Sequence, residues 1–248
     1  MHWWDIGAFL SFALAPLALL LLAFAPVGWR AGWWHFRFAF TWLMTASGVA
    51  ALAAIVVALG ALLLGGAQLS GGRLAMAAIG LGLGAVLVYV PWRYDRLRKT
   101  VPRIHDITTD VENPPEFIAV LPARRAEDAA SAIYAGPELA RLQRAAYPDV
   151  APLELPLSAA KAFDLALSVA QSMPGWHIAA ADPASARIEA SQTSRWFRFT
   201  DDVVVRVIGH GSESRVDMRS LSRQGRSDFG VNAARIRRYM ASLRKRVG

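Results

Sequence analysis

The chain contains no cysteine. That absence excludes disulfides, thiolate metal sites and cysteine nucleophiles, and it suits either side of a membrane equally. Charge is the second scarcity, and it is local. Residues 1–91 carry only Asp5, Arg30, Arg37 and Arg73, so 24 of the 27 basic and 18 of the 19 acidic residues fall in 92–248. Such a split, with 54% hydrophobic residues and a mean hydropathy of +0.30, excludes a single soluble globule, a disordered chain and a collagen-like chain. The 248 residues leave room for one large or two small domains. Their net charge of +8 divides into +2 for the first part (three basic against one acidic) and +6 for the second (24 against 18).

Three apolar runs fill the uncharged part: Ile6 to Val27 (22 residues), Phe38 to Leu64 (27) and Leu74 to Val90 (17). About 20 helical residues cross a hydrocarbon layer. The runs therefore predict a transmembrane anchor over 1–91 with spans near 6–27, 38–64 and 74–90. Met1-His2-Trp3-Trp4-Asp5 lacks the basic start of a cleaved signal peptide. Trp3, Trp4, Trp29, Trp33, Trp34, Trp42, Tyr89, Trp92 and Tyr94 fall where headgroups would be. Within the spans the polar residues are Ser11, Thr41, Thr45 and Ser47, and no ionisable side chain lies at depth. That disfavours a transporter or proton relay. Gly80-Leu81-Gly82-Leu83-Gly84 resembles a glycine-rich nucleotide loop but follows no strand and lacks the further glycine. Gly80 and Gly84, at i and i+4, predict close helix packing instead. With three spans, one basic residue (Arg73) flanks the amino-terminal side. Seven flank the other: Arg30, Arg37, Arg93, Arg96, Arg98, Lys99 and Arg103. The positive-inside rule then places the large domain in the cytoplasm.

Residues 92–157 are punctuated by prolines and read as a linker or wrapping arm, with one short helix from Pro137 to Ala146. Residues 158–248 read as an α+β domain. A helix behind Ser158 carries Ala159, Ala162, Phe163, Ala166, Leu167 and Ala170 at helical spacing and stops before Pro174-Gly175. Four alternating runs follow, Trp176 to Ala180, Arg187 to Gln192, Asp202 to Val207 and Ser214 to Leu221, which predict an antiparallel four-stranded sheet. Ile236, Tyr239, Met240, Leu243 and Val247 then form one stripe of a long last helix from about Phe229 to Arg246. Both helices can cover one sheet face.

Catalytic signatures are few. The five histidines lack zinc-helix spacing, and His105, Asp106, Asp110 and Glu112 do not match a calcium loop, so no metal or other cofactor is expected. There is no nucleophile elbow, and Gly225 to Gly230 lacks the lysine of a phosphate loop. Asp201 and Asp202 can hold one raised carboxyl, yet neighbours on a strand point to opposite faces, which favours pairing with arginine. The densest constellation runs from Arg215 to Gly230. Arg215, Asp217 and Arg219 share one strand face, where Asp217 can bridge both guanidiniums. Ser222, Arg223, Arg226 and Ser227 surround the start of the last helix and form a candidate phosphate or carboxylate site. Against this stands internal pairing of the arginines with Asp201, Asp202 and Glu189, while Asp228 caps the helix. Arg235, Arg237, Arg238, Arg244, Lys245 and Arg246 make the last helix basic, which suits anionic lipid better than nucleic acid because no recognition motif accompanies the charge.

Ile104-His105-Asp106-Ile107-Thr108-Thr109-Asp110, Asn113-Pro114-Pro115, Tyr147-Pro148-Asp149, Pro174-Gly175-Trp176, Asp201-Asp202 and the run from Arg215 to Arg235 resemble the bacterial domain-of-unknown-function family 1499 over about 104–245. In that run Ser220, Ser222, Arg223, Gly225, Asp228, Gly230 and Asn232 carry the likeness. The resemblance implies no catalytic residues. Several members of that family look like exported lipoproteins or lumenal proteins, which implies an extracytoplasmic domain, against the arginine count. This chain departs from them in its three spans and its lack of a lipidation cysteine. The order of elements is also similar to helix-grip modules of envelope lipoproteins, a likeness of fold alone. The leading expectation is a multi-pass protein of the bacterial inner membrane presenting a noncatalytic anion- or lipid-binding or envelope-scaffold module. Its expected partners are membrane lipids, anionic ones included, and a protein not identified by sequence, with no nucleic acid. The rival is a membrane-tethered hydrolase-type enzyme using Asp201, Asp202 and His105.

Overall fold

Backbone polar groups in hydrocarbon must bond within their own segment, so the three uncharged runs become helices. The computed structural model describes residues 2–247 and separates into two units that meet at Lys99 and Thr100. In the first, α1 spans Trp3–Arg30. The short α2 (Phe36–Phe38), a π-helical turn (Ala39–Leu43) and α3 (Met44–Gly65) follow one another, and α4 spans Gly71–Thr100. Three helices, Trp3–Arg30, Phe36–Gln68 and Gly71–Thr100, are long and apolar enough to cross a membrane, in keeping with a multi-pass membrane protein.

Small residues set the helix spacing in this unit. A Cβ on Gly80 would sit 2.7 Å from the Ser11 carbonyl carbon, and one on Gly84 would sit 2.9 Å from the Ala51 carbonyl oxygen. Neither position accepts a side chain, as the i, i+4 glycine spacing predicts. Ser47 adds a hydrogen bond between helices, donating from Oγ to the Ala18 carbonyl at 2.8 Å. The last helix outruns its expected end at Val90, continuing through Pro91 to Thr100. Beyond Pro91, Asp95 pairs with Arg98 at 2.9 Å and with Lys99, an i+3 and i+4 arrangement that supports continued helix.

The second unit is built on a six-stranded antiparallel sheet. Its strands are β1 (Asp106–Thr108), β2 (Leu153–Leu155), β3 (Trp176–Asp182), β4 (Arg187–Thr193), β5 (Thr200–His210) and β6 (Glu213–Ser222). The order is β1-β6-β5-β4-β3, with β2 also on β6, beside β1. The four strands with alternating sequence are present. The two added strands come from the arm: Ile107 is opposite Ser220, and Glu154 is opposite Arg215. Three residues each are too few to announce themselves by a period of two. The helices are α5 (Leu121–Ala126), α6 (Pro137–Ala146), α7 (Ala159–Ser172) and α8 (Val231–Val247). Ser158 holds the N-cap position of α7 without a side-chain cap bond.

One sheet face carries the core. Ile188, Ala190, Val203, Val205, Val207, Val216 and Met218 meet Phe163, Ala166 and Val169 of α7 and Ile236, Tyr239, Met240 and Leu243 of α8. Trp176 stacks on Tyr239 at 5.4 Å between centroids, and Tyr239 donates its hydroxyl to the Ala166 carbonyl at 2.8 Å. Ile107, Leu153 and Leu155 of the arm join the same cluster.

The arm is therefore part of the fold. A fragment of residues 100–248 should unfold cooperatively in urea with an intact near-ultraviolet spectrum. A fragment of residues 158–248, stripped of both arm strands, should lose that spectrum. Equal cooperativity in the two would show the arm to be dispensable.

Candidate functional site

Alternation sends every second residue of β4, β5 and β6 away from the helices, and that face is rich in charge: Arg187 and Glu189, Asp202 and Arg206, Arg215, Asp217 and Arg219, then Arg223 just beyond β6. A polar face of this kind is ordinarily solvated. Here the arm lies across it. Phe117 and Val120 cluster with Val204 and Leu221, with Leu121 and Ala132 packed alongside. The covered charges consequently need partners inside the protein.

Asp202 is fully buried and accepts from Arg124 at 2.7 Å, from Arg223 at 2.8 and 2.9 Å and from the Ser191 hydroxyl at 2.6 Å. Arg124 comes from α5 of the arm and also donates to the Ala130 carbonyl at 2.6 Å. Arg223 turns its other nitrogen to Glu127 at 2.5 Å, and Asp202 raises the guanidinium's affinity for its proton. Glu189 accepts the backbone N–H of Ile118 at 2.9 Å and of Val120 at 3.1 Å, pinning the arm by its main chain. Arg219 forms a two-pronged pair with Asp106 at 2.7 and 2.8 Å, and its guanidinium lies over the rings of Phe117 and Tyr134, 5.1 and 5.4 Å from their centroids. Burial, with the Asp106 charge nearby, pushes the Tyr134 phenol up to about 12. Arg206 and Arg215 meet Asp217 at 2.9 and 3.0 Å and Asp110 at 3.2 and 2.8 Å.

This corrects one pairing read from the sequence. Asp217 bridges Arg206 and Arg215, whereas Arg219 is taken by Asp106, because β1 lies beside β6 and brings that carboxylate two-pronged onto the guanidinium. Asp201 and Asp202 point to opposite faces, as adjacent strand residues do. Asp201 receives Arg235 of α8 at 2.6 Å. Arg235 also bonds Ser220 at 2.8 Å and reaches the Asn232 side chain. Asp201, Asp202 and Glu189 are thus each beside an arginine, on the two faces of the sheet, although Glu189 meets Arg187 only at 3.4 Å.

The four anion candidates do not converge. Ser222 faces α8 and accepts from Asn232 at 3.0 Å, while Arg223 lies on the opposite face in the Asp202 network. Arg226 is exposed and, among the described residues, has no acidic partner; Ser227 is half-buried beside it. The helix start is already capped, since Asp228 accepts from Gly230 at 2.9 Å and from Asn232 at 2.7 Å. His105 offers its carbonyl to Ser222 and Asn232 and leaves Nδ1 buried without a partner. Its neighbour across β6 on that face is Ser222, so Asp202 is out of its reach. Among the described residues no three His, Asp or Glu side chains gather as metal ligands would. Sequence reasoning missed Arg124, Glu127 and Asp106 as network members. The available signal was a run of charges on alternate strand residues with too few opposite charges on the same strands to neutralise them.

Removing the shared carboxylate should unfold the arm. Asp202→Asn leaves two buried guanidiniums short of a counter-charge, a loss of about 3–5 kcal/mol. Thermal unfolding should show a midpoint roughly 10 °C lower. An unchanged midpoint would mean the face is wetter than its burial indicates. Asp228 behaves oppositely. Burial raises its carboxyl above the usual range despite the Gly230 and Asn232 N–H groups. A raised folded value means its stabilising contribution is present below the unfolded value and lost as pH rises through the folded one. Asp228→Asn keeps a good cap and should therefore stabilise the protein at neutral pH, with the gain shrinking towards acid. Unfolding midpoints of both proteins across pH 4 to 7 check the sign.

No curated protein matches the chain. Residues 106–243 match the family described as a protein of unknown function, DUF1499. The matched stretch opens at β1 and closes within α8, so it takes in the arm, the sheet and both covering helices. With more than half its length matched, the chain belongs to the DUF1499 family.

Proposed function

We propose that this protein is a multi-pass component of the bacterial inner membrane that presents a noncatalytic module for anionic groups, lipid headgroups included, and so acts as a scaffold in the envelope. One observation carries the noncatalytic part. The carboxylates that a hydrolase would need are held by arginines on two different faces, Asp201 by Arg235 and Asp202 by Arg124 and Arg223. A general base or nucleophile requires a free lone pair aimed at substrate, whereas both oxygens of Asp202 are occupied and Asp201 is turned to Arg235 on the other face. Nothing specific favours the rival built on Asp201, Asp202 and His105.

The anion-binding part rests on what remains outside the networks. Arg226 and Ser227 lie in the loop between β6 and α8, with Arg226 in solvent and the Ser227 hydroxyl 3.5 Å from the Pro102 carbonyl. Arg103 is also exposed in the segment that this loop touches. Two guanidiniums on adjoining segments, with no acidic partner among the described residues, can share a phosphate or carboxylate.

The test uses the full chain in phosphatidylcholine nanodiscs, titrated with inorganic phosphate and separately with short-chain phosphatidylglycerol. Arg226→Ala should raise the Kd about tenfold, as expected for loss of one charge-assisted hydrogen bond, and added salt should weaken binding. Binding indifferent to both salt and substitution would refute the reading. Binding of phosphatidylglycerol without phosphate would restrict the ligand to lipid.

A further inference from the structure

The β4–β5 hairpin ends in Ser194-Arg195-Trp196-Phe197-Arg198-Phe199, a run with no acid and three aromatics in six residues. Its base is closed. The Thr193 and Thr200 hydroxyls lie 3.0 Å apart, Ser194 N–H donates to the Phe199 carbonyl at 2.8 Å, and Phe199 N–H donates to the Ser194 hydroxyl at 3.0 Å. Above that closure Phe197 and Phe199 stack at 5.3 Å, and Trp196 stands 65% exposed. Arg195 and Arg198 are exposed on either side of the pair Trp196-Phe197 and have no acidic partner among the described residues. Arg198 holds a φ of +57°, a left-handed conformation that costs an L-residue with a long side chain. A closed turn that spends strain to present an indole between two guanidiniums is a poor solvent surface and a good interfacial one. Tryptophan concentrates at the headgroup level, and arginine can bury its stem while its head reaches phosphate.

The surroundings of the tip are basic as well. Register places Thr200 opposite Thr193, Asp201 opposite Ser222 and Asp106 opposite Leu221, so the tip, the loop after β6 and the incoming segment 101–105 share one end of the sheet. That end exposes Arg103, Arg195, Arg198 and Arg226. Four acids near it are engaged, Asp201 with Arg235, Asp202 with Arg124 and Arg223, Glu127 with Arg223, and Asp228 with the start of α8, and the exposed Asp128 beside Glu127 leaves the balance basic. The chain also enters the unit at this end, directly after a helix apolar enough to cross a membrane. A tether of that kind keeps a bilayer at high effective concentration.

We infer that the 194–199 hairpin tip is a membrane-docking element, with Trp196 and the stacked phenylalanines entering the headgroup region of an anionic bilayer and Arg195 and Arg198 on lipid phosphates. The inference rests on the anionic-lipid reading above and adds a second, separate surface to it. Each arginine near an anionic bilayer favours the docked form by about fivefold. Docking is therefore salt-sensitive and specific for negatively charged lipid.

Because the chain has no cysteine, Thr193→Cys, exposed at the edge of the tip and leaving both Ser194–Phe199 bonds in place, supplies a unique attachment point for an environment-sensitive fluorophore on the full-length protein. Single copies are placed in nanodiscs of phosphatidylcholine with or without phosphatidylglycerol, some carrying spin-labelled lipid near the headgroup. The expected result is blue-shifted emission and strong quenching in anionic discs. Both should fall by more than half with added salt and on combining Arg195→Ala, Trp196→Ser and Arg198→Gly. Arg198→Gly alone should leave the unfolding midpoint equal or higher, because glycine accepts the left-handed φ, which separates loss of docking from loss of fold. Unquenched emission in both discs, or quenching that survives the triple change, overturns the tip proposal. Phosphate binding at Arg226 that persists while tip quenching is absent overturns this inference alone. Tip quenching that persists while Arg226→Ala leaves phosphate binding untouched counts against the other reading only.

Discussion

A carboxylate removed from water must be met by donors that replace its hydration, and the outer face of this sheet depends on four such encounters. Asp202, Asp217 and Asp106 are met by guanidiniums, and Glu189 by two backbone N–H groups. Three of them join the sheet to the arm directly, and at Asp217 the two guanidiniums that hold it reach the arm through Asp110. Neither partner would remain buried without the other, since an unpaired ion in the interior costs several kcal/mol. The pairing and the coverage are consequently one event. Replacing the pairs with apolar residues of similar volume can be neutral for stability, so the charges are better understood as fixing where the arm lies. A purely apolar face would accept the arm in several registers. A face with Asp202 and Glu189 at fixed positions accepts Arg124 and the Ile118 and Val120 amides in one.

The division of labour between the two faces explains what the sequence disclosed. Valine at 203, 205 and 207, with Val216 and Met218, repeats at the strand period, and the stripes on α7 and α8 repeat at the helical one, so the helix-covered half of the domain was legible. The other half was not, because covering it depends on residues far away in sequence. Arg124 meets Asp202 across 78 positions, and Asp106 meets Arg219 across 113. No local period records such contacts. The alternating charges announced pairing but not the distant segment that covers them, and two strands of three residues each were too short to show a pattern. The same limitation scattered the expected anion site: Ser222 and Arg223 are neighbours in sequence but stand on opposite sides of the sheet. The loop between Gln192 and Asp202 escaped notice for a different reason, since it lies outside every periodic segment.

In the membrane unit legibility was higher, because hydrocarbon imposes a simpler rule. Charge-free length identified each helix, and the glycines marked where helices come within backbone distance. The miss was at the far end of α4, where Pro91 reads as a stop. A proline without its N–H can still sit in a long helix whose flanking turns are secured, and Asp95 with Arg98 and Lys99 secures the following ones.

The position of β6 has a consequence in time. It is the next-to-last element of the chain, and it pairs with β5 on one side and with β1 and β2 on the other. During synthesis β1 emerges more than a hundred residues ahead of the strand that completes it, and the rest of the arm follows well before that strand. Until Glu213–Ser222 arrives, Asp106 and Asp110 stay hydrated and the apolar side of β1 has no sheet to join. Closure of the domain is then a late, non-local step, of the kind that is slow relative to local helix formation. A nascent chain held at a membrane by its helices would wait in that open state, with the arm accessible to any chaperone or protease on that side until β6 locks it down.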